Sequence, residues 1–488
     1  MYPTAGKLAL ASLALLAWSG MAHADDICNG DPDKDNFPNK VVVSEAANFT
    51  VTYSNNYKLV TNEVSGETYG LYCGSSPPNQ GGDVKNWYQV PLRSVAVMDR
   101  SVLPFLEILK QTSSIKIVDN HKNVTSPCIQ TLLQKNEIKP QQQSGQDDWE
   151  GIQLAFTAAA DNRTSYVTFS AGDDRIPPVQ RAEWIKYVSL FYNAEETAMA
   201  FYEHVAAQYD CHKNNAAKAK GRNIAWTRHS SPLGRDPELW SFQTTAYVDG
   251  LTDNAGAHLT RSNDLDSTST DTFHKGLKSV DYIIDQTNFG DDTVTFDQWK
   301  DLFGYSSDPG RDGNVFYYKK QVWRTNKRRN PLGYSDWAET PLARPDLVLA
   351  DLVSLQYPSY QDDYDLLWFE STARNATPTT VGPGSCDDDA LVFKFPSCPS
   401  GMDTSRERFN TDSNGDDSDD DSDDDDDDDD DGLGVGRIVG IVVGSLAAVA
   451  VLAVLYVYAA RQRRRQRLQE FINLRNRNSQ EFDERETL

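Results

Sequence analysis

From Ile438 to Ala460 the chain reads IVGIVVGSLAAVAVLAVLYVYAA, without one charged side chain. A bilayer core about 30 Å thick needs roughly 20 such residues in a helix, because lipid offers exposed backbone amides no partners. This stretch divides everything else into an outside and an inside. Tyr456 and Tyr458 stand near its far end, and Arg461, Arg463, Arg464, Arg465 and Arg467 follow at once. Positive charge stays on the cytoplasmic side, so residues 461–488 are expected inside the cell and the chain before 438 outside. The other terminus agrees. Lys7, the apolar run Leu8 to Trp18 and Ala22-His23-Ala24 have the form of a secretory signal peptide cut after Ala24. The expectation is a single-pass type I protein of the plasma membrane with its N-terminal region extracellular.

An extracellular location decides how the cysteines read. Cys28, Cys73, Cys128, Cys211, Cys386 and Cys398 are even in number, and no two stand in a CxxC pair. Three disulfides are expected, not a zinc or redox centre; six cysteines allow about 15 connectivities. The short Pro/Gly-containing interval from Cys386 to Cys398 favours that pair, and Cys211 is expected to reach a first-lobe cysteine such as Cys128. Asn48, Asn123, Asn162 and Asn375 head N-x-[ST] sequons, all before the membrane segment, and would carry glycans in a eukaryotic host.

Between Asp412 and Asp431 lie fifteen aspartates, more than half of the formal net charge of −25. From Pro399 to Gly436 the chain is dominated by Gly, Ser, Asn and Asp and has too little apolar surface to fold, so it reads as an extended, self-repelling stalk. Asp412 and Asn414 suggest a calcium loop, but no Glu occupies the twelfth position. So acidic a chain excludes nucleic acid as a partner.

The rest alternates strand and helix signals. Phe49–Tyr53 and Tyr57–Thr61 flank an Asn-rich turn and predict a β-hairpin. Val95–Met98, a helix capped by Ser101, Ile115–Val118, a helix opening at Asp148-Trp149 and a strand Ser165–Phe169 predict an α/β lobe with a parallel sheet. After Pro177-Pro178 a short helix carries Trp184, expected in the core. Asn193 and Glu196 form a capping-box pattern. Ala198, Phe201, Tyr202, Val205, Ala206 and Tyr209 then mark one stripe of a helix running to Gly221. That helix is long enough to bridge two lobes, although the spacing also fits an ordinary core helix. Beyond it, strands at 223–227, 281–284 and 314–318 alternate with helices at 246–254 and 296–303, and Pro345–Gln356 is a last helix. The expected fold class is α/β: two Rossmann-like α/β lobes joined by a long inter-lobe α-helix, plus a disordered stalk and one transmembrane helix. The expected boundaries are 1–24 signal peptide, 25–90 N-terminal extension with the hairpin, 91–180 first lobe, 181–221 inter-lobe helical segment and 222–398 second lobe with a C-terminal extension. Stalk (399–437), transmembrane helix (438–460) and cytoplasmic tail (461–488) follow.

The ordered motifs FTVT-turn-YKLV, VPLRSVAV, IKIV, RAEWIKYVSLFYN, AGAHLT, VDYIIDQT, SDWAET and PDLVLADLVSLQYP resemble the helical-backbone, class III, periplasmic substrate-binding proteins. More narrowly, they resemble a secreted, membrane-anchored eukaryotic branch of that type. The resemblance covers roughly residues 41–370. It implies capture of a siderophore, haem, cobalamin or metal chelate between two lobes, with a membrane transporter or adaptor as a further partner. The disulfides, loop insertions and own anchor depart from the bacterial pattern and leave coupling to a transporter open.

Ligands of open α/β sheets bind beyond the carboxyl ends of the strands. That rule selects Arg100 after the first strand, Arg175 in Asp173-Asp174-Arg175, Arg228, Asp285 and Thr287, Arg324, and Trp337 beside Asp336. Arginine forks suit carboxylates or phosphates, and Trp337 offers stacking area, so the candidate ligand is small and anionic. For each arginine taken singly, a surface or inter-lobe salt bridge is the first reading and a ligand contact the second. His121, His204, His212, His229, His258 and His274 show no ligand spacing, so no metal site is expected, and the cofactor is unknown. G-x-S-x-G, H-E-x-x-H and phosphate-loop motifs are missing, so no enzyme is expected and no catalytic residue is assigned. A receptor or adhesion ectodomain that keeps the fold without the ligand is the alternative. Glycoside hydrolysis needs only two carboxylates at no set spacing and stays as a third reading.

Overall fold

The computed structural model describes residues 28–402, apart from 29–30, 32, 45–46, 79–82, 142–148, 220, 232–236, 263–265, 289–293, 306–313, 362–363, 374–376 and 387–389. All belong to the first of two units, Met1–Asn414. The expected signal peptide, the stalk beyond Met402, the membrane helix, the tail and Asn375 lie outside the described residues. Among those described, no helix is long and apolar enough to cross a membrane.

The molecule is mixed α/β, built on two open sheets. In the first, Lys139–Pro140, Ile115–Val118, Val95–Val97, Leu154–Thr157 and Tyr166–Thr168 lie side by side, all parallel. Parallel strands are covered on both faces and so carry near-continuous apolar runs. Val95, Val97, Leu154 and Phe156 enter the main core, while Ala96, Ile117, Ala155 and Tyr166 form a smaller cluster on the other face. The second sheet runs Asp266–Ser267, Leu239–Phe242, Asn223–Ser230, Tyr282–Asp285, Val322–Arg324, Glu370–Ser371; its three central strands are parallel. Ile224, Trp226, Tyr282 and Ile284 pack on the side of the helices Ala246–Asn254 and Pro345–Gln356. Ala225, Ile283 and Val322 pack on the side of Phe273, Trp299 and Phe303.

The helix Glu195–Ala216 serves both cores. Ala198, Phe201 and Val205 belong to the first cluster, and Tyr209 and Ala216 to the second. At 1.5 Å per residue its 22 residues span about 33 Å. It is shorter than the stripe suggested, and the capping box is not made. Ala194 is the N-cap, and Asn193 stands in the left-handed region at φ 52°. The Asn193 side chain is engaged elsewhere: Lys58, fully buried on the hairpin, donates to Asn193 Oδ1 (2.9 Å), Glu195 Oε1 (2.7 Å) and the Leu190 carbonyl (2.7 Å). One buried ammonium thus pins the N-terminal sheet to the start of the helix, and its partners satisfy it in place of water. The hairpin itself grows into a four-stranded sheet, Phe49–Tyr53, Tyr57–Asn62, Glu67–Tyr72 and Asn86–Gln89.

Three local expectations are corrected. Ser101 is not the cap; Asp99 is, its carboxylate accepting the Ser101 N–H at 3.1 Å. Trp149 to Gly151 form a turn, with Gly151 at φ 78°, and no helix opens there. The helix between these strands is Pro127–Gln134, capped by Ser126 with proline at its first position, and the strand is Leu154–Thr157. Val315–Tyr318 is one helical turn, not a strand. The place beside Tyr282–Asp285 is taken by Val322–Arg324, while Phe316 is buried and its N–H bonds the Val280 carbonyl.

Three disulfides form, as the cysteine count implied, but with other partners: Cys28–Cys73, Cys128–Cys386 and Cys211–Cys398. Neither Cys386–Cys398 nor Cys128–Cys211 exists. Chain proximity loses because residues 379–386 and 390–398 run as a strap along both halves instead of folding back on each other. Thr379–Thr380 pairs with Arg328–Arg329 of the second half. Gly384 N–H then bonds the Pro127 carbonyl at 3.1 Å, which sets Cys386 against Cys128 with Cα atoms 4.4 Å apart. Ala390 and Val392 enter the first core, and Cys398 ends against the long helix, its N–H donated to Gln208 Oε1.

Candidate functional site

The loops leaving the carboxyl ends of both sheets meet each other. Asn330, past Val322–Arg324, donates to the carbonyls of Lys122 and Val124, past Ile115–Val118, at 2.7 and 2.9 Å. On the other flank, Ala246 N–H bonds the Asp174 carbonyl at 2.9 Å, and the Arg181 guanidinium lies 3.8 Å from the centre of the Tyr247 ring. The strand-end rule therefore points at real neighbours across the two halves.

The seven candidate residues separate into three groups. Asp285, Thr287 and Arg324 come together on one face of the second sheet, all buried. Asp285 Oδ1 accepts the Thr287 hydroxyl at 2.6 Å and its N–H at 3.2 Å; Thr227 reaches the same oxygen at 3.5 Å. Arg324 donates to the Thr287 carbonyl at 3.2 Å. Burial pushes the Asp285 carboxyl up to about 6, against the pull of the Thr287 bonds and of Arg324. Burial equally draws Arg324 below its ordinary value, opposed by Asp285 and Glu370. Arg329 closes the row with a 2.8 Å pair to Glu370. Arg324 is therefore a strand residue inside a buried ion network, not a loop residue reaching for solvent.

Arg100 and Trp337 form the second group, at the contact between the halves. Arg100 Nη1 donates to the Asn123 carbonyl and, at 3.3 Å, to that of Ser335; Glu339 Oε2 is 4.0 Å away. Trp337 packs among Trp226, Trp368 and Phe369, with ring centroids 5.8–6.5 Å apart. Its ring faces core aromatics. Arg175 and Arg228 are the third group, and both are exposed. Arg175 pairs with Asp173 of its own loop at 2.8 Å. Arg228, on Asn223–Ser230, has no partner among the described residues.

Sequence reasoning named Asp336 only as the neighbour of Trp337 and missed the other groups that fill the contact: Glu107 and Glu339, with Thr125, Ser126 and Arg328. Ser126-Pro127 was a legible helix start. Asp336 and Glu339 meet partners on Thr125 and Ser126 that lie 211 to 214 residues away in sequence, where no local pattern reaches. Of the sequons, Asn162 is exposed, Asn48 and Asn123 are half-buried, and Thr125 of the second is buried under Asp336.

A hollow of about 320 Å³ is lined by Val41, Val43, Ser44, Phe49 and Glu63. It belongs to the N-terminal sheet, away from the strand ends, so volume and chemistry point to different places; the strand ends carry the convergent polar groups. Among the described residues no three His, Cys, Asp or Glu side chains are grouped to hold a metal ion.

No protein-family model and no curated protein matches the chain. Solved structures similar to it include a periplasmic binding protein from Veillonella parvula, at 10% identity and TM-score 0.42, covering 63% of this chain and 97% of that one. A periplasmic heme-binding protein of Vibrio cholerae is similar at 11% identity and TM-score 0.38, covering 52% and 98%. The petrobactin-binding protein of Bacillus subtilis is similar at 13% identity and TM-score 0.38, covering 54% and 93%.

Proposed function

We propose that residues 25–398 form an extracellular solute-binding module that captures a small anionic ligand between its two α/β lobes, held at the cell surface by the transmembrane helix 438–460. The observation that carries this reading is the meeting of the carboxyl-end loops of two open sheets across one shared helix. The ligand classes to test are ferric siderophores, haem, cobalamin, simple metal ions and organic acids, for uptake through a transporter or for sensing through the short tail. Of the candidate residues, Arg228 is the one whose guanidinium is exposed and uncommitted, so an anion would be gripped from the second lobe by Arg228. Arg175 would reach from the first after exchanging its Asp173 partner. Arg324, Asp285 and Thr287 would hold the strand ends rigid beneath the ligand.

The true ligand should raise the Tm of the purified protein, following RT ln(1 + [L]/Kd), about 2.7 kcal/mol at a hundredfold excess over Kd. Arg228→Ala should reduce that shift without changing the ligand-free Tm, since a charge-assisted hydrogen bond is worth roughly 1.5–3 kcal/mol. A screen of all five classes without a shift, together with native mass spectrometry showing no co-purified small molecule, would end the solute-binding reading. One observation favours a second reading in that event: Arg100, Thr125, Asp336 and Glu339 already occupy the contact between the halves. A receptor or adhesion ectodomain with permanently apposed lobes would look the same.

The membrane placement has its own test. Protease added to intact cells should remove a tag placed after Ala24 and spare one placed after Leu488; the reverse pattern is incompatible with a type I orientation.

A further inference from the structure

Three carboxyl side chains meet two guanidinium groups where the two halves touch, and all three carboxyls are buried. Glu339, on the segment that follows Val322–Arg324 of the second sheet, accepts the Thr125 N–H at 3.0 Å and the Ser126 N–H at 2.8 Å from the first half. Asp336 accepts the Thr125 hydroxyl at 2.6 Å and, through its other oxygen, the Trp368 indole N–H at 2.9 Å, so its carboxylate joins one half to the other. Glu107, on Leu103–Ile108, accepts the Ser126 hydroxyl. The positive charges facing them are Arg100, 4.0 Å from Glu339, and Arg328, 3.2 Å from Asp336.

We propose that this seam is a proton-operated latch: one proton held between Glu107 and Glu339 keeps the two halves closed on each other, and its loss as the pH rises loosens the contact. The charge count is the first argument. With all three carboxyls ionised, two guanidinium groups leave a net negative charge among buried carboxyl groups, which is costly. Holding a proton removes it. Parting the halves also removes it, by giving each carboxylate back its water.

Titration agrees in direction. Burial pushes Glu107 up to about 8, and the negative charges of Glu339 and Asp336 add to that push; the Ser126 bond and Arg328 oppose it. Burial pushes Glu339 up to about 7, with Asp336 adding and Arg100 and the Thr125 bonds opposing. Exposed glutamate titrates near 4.3, so the closed seam binds more protons than the open one. Its advantage is complete below about pH 4.5, falls as the pH rises and is spent above about 8. Each proton released changes the closed-to-open ratio by up to about tenfold per pH unit. The latch holds whether or not a solute lies between the lobes.

Hydrogen–deuterium exchange of the full chain in detergent, corrected for intrinsic exchange, reads this directly. Protection of peptides covering 122–131 and 333–343 should fall at least about tenfold from pH 6 to pH 8.5, while the strand 57–62 of the N-terminal sheet stays unchanged. The double variant E107Q/E339Q, which cannot ionise there, should stay protected at both pH values. Equal wild-type protection at the two pH values would overturn the latch, as would a double variant with the wild-type slope. If the double variant does not fold, E107Q alone decides: an undiminished slope overturns the proposal, and a reduced one supports it.

Discussion

Replacing Arg344 by methionine is expected to destabilise the protein by about 3–5 kcal/mol, the usual cost of stripping one partner from a buried ion pair. Arg344 is fully buried. Its Nε and Nη2 hold both oxygens of Asp346, at 2.9 and 2.7 Å, and Nη1 reaches the carbonyls of Leu391, Val392 and Lys394 at 3.3, 3.2 and 2.5 Å. One guanidinium thus serves the start of the helix Pro345–Gln356 and the strap that crosses it. Methionine fills the volume but leaves the Asp346 charge and the Val392 and Lys394 carbonyls without the Arg344 donor, while the Leu391 carbonyl keeps the Lys394 N–H. Urea denaturation followed by tryptophan fluorescence should show the midpoint fall. The double change R344M/D346L should recover much of the loss, because the orphaned charge goes with its partner. A midpoint for R344M equal to wild type would mean that the pair is dispensable.

Trp184→Ala carries an expected loss of similar size, about 3–5 kcal/mol, for a different reason. Trp184 has no exposed surface, and its ring stands 4.8–5.4 Å from those of Tyr187, Phe49 and Phe169. Those three come from the helix Pro178–Leu190, the N-terminal sheet and the end of the first parallel sheet, so one side chain joins three elements. The indole N–H also satisfies the Ala47 carbonyl at 2.9 Å. Alanine opens a cavity among rigid rings that cannot collapse into it. Phenylalanine at the same position should lose less, since most of the packing survives and only the carbonyl is orphaned. Thermal unfolding of the two variants side by side tests the order; Trp184→Phe faring as badly as Trp184→Ala would place the cost in the hydrogen bond.

These two residues also show which parts of the molecule were legible in the sequence. Trp184 sits in a run whose apolar spacing marks it as core, and local pattern sufficed. The helices Ala246–Asn254 and Pro345–Gln356 were readable to the residue, because Thr245 caps the first and Pro345 opens the second. Legibility failed where the chain's neighbours in space are distant in sequence. Val315–Tyr318 has the composition of a strand, yet the neighbouring position in the sheet belonged to Val322–Arg324. Asn193 and Glu196 spell a cap, yet Lys58, more than a hundred residues earlier, claims the asparagine. The site followed the same division. The strand-end rule selected Asp285 and Thr287 from a strand that the fold keeps, but Arg324 from a strand at 314–318 whose place Val322–Arg324 takes. Glu370, Arg329, Glu107 and Glu339 were invisible, since each matters only through a partner that the fold supplies. The disulfides are the clearest instance: the count is a property of composition, while the pairing is a property of the path taken by residues 379–398.

That path also determines how the module would bear tension. Any pull on the chain beyond Met402 arrives first at Cys398, and the covalent bond to Cys211 passes it straight into the helix Glu195–Ala216. The strap upstream of Cys398, the contact between the halves and both sheets lie off that line. Under the proposed anchoring, a load from the C-terminal side would enter the helix Glu195–Ala216 directly through Cys211–Cys398, a covalent route that bypasses the contact between the two halves.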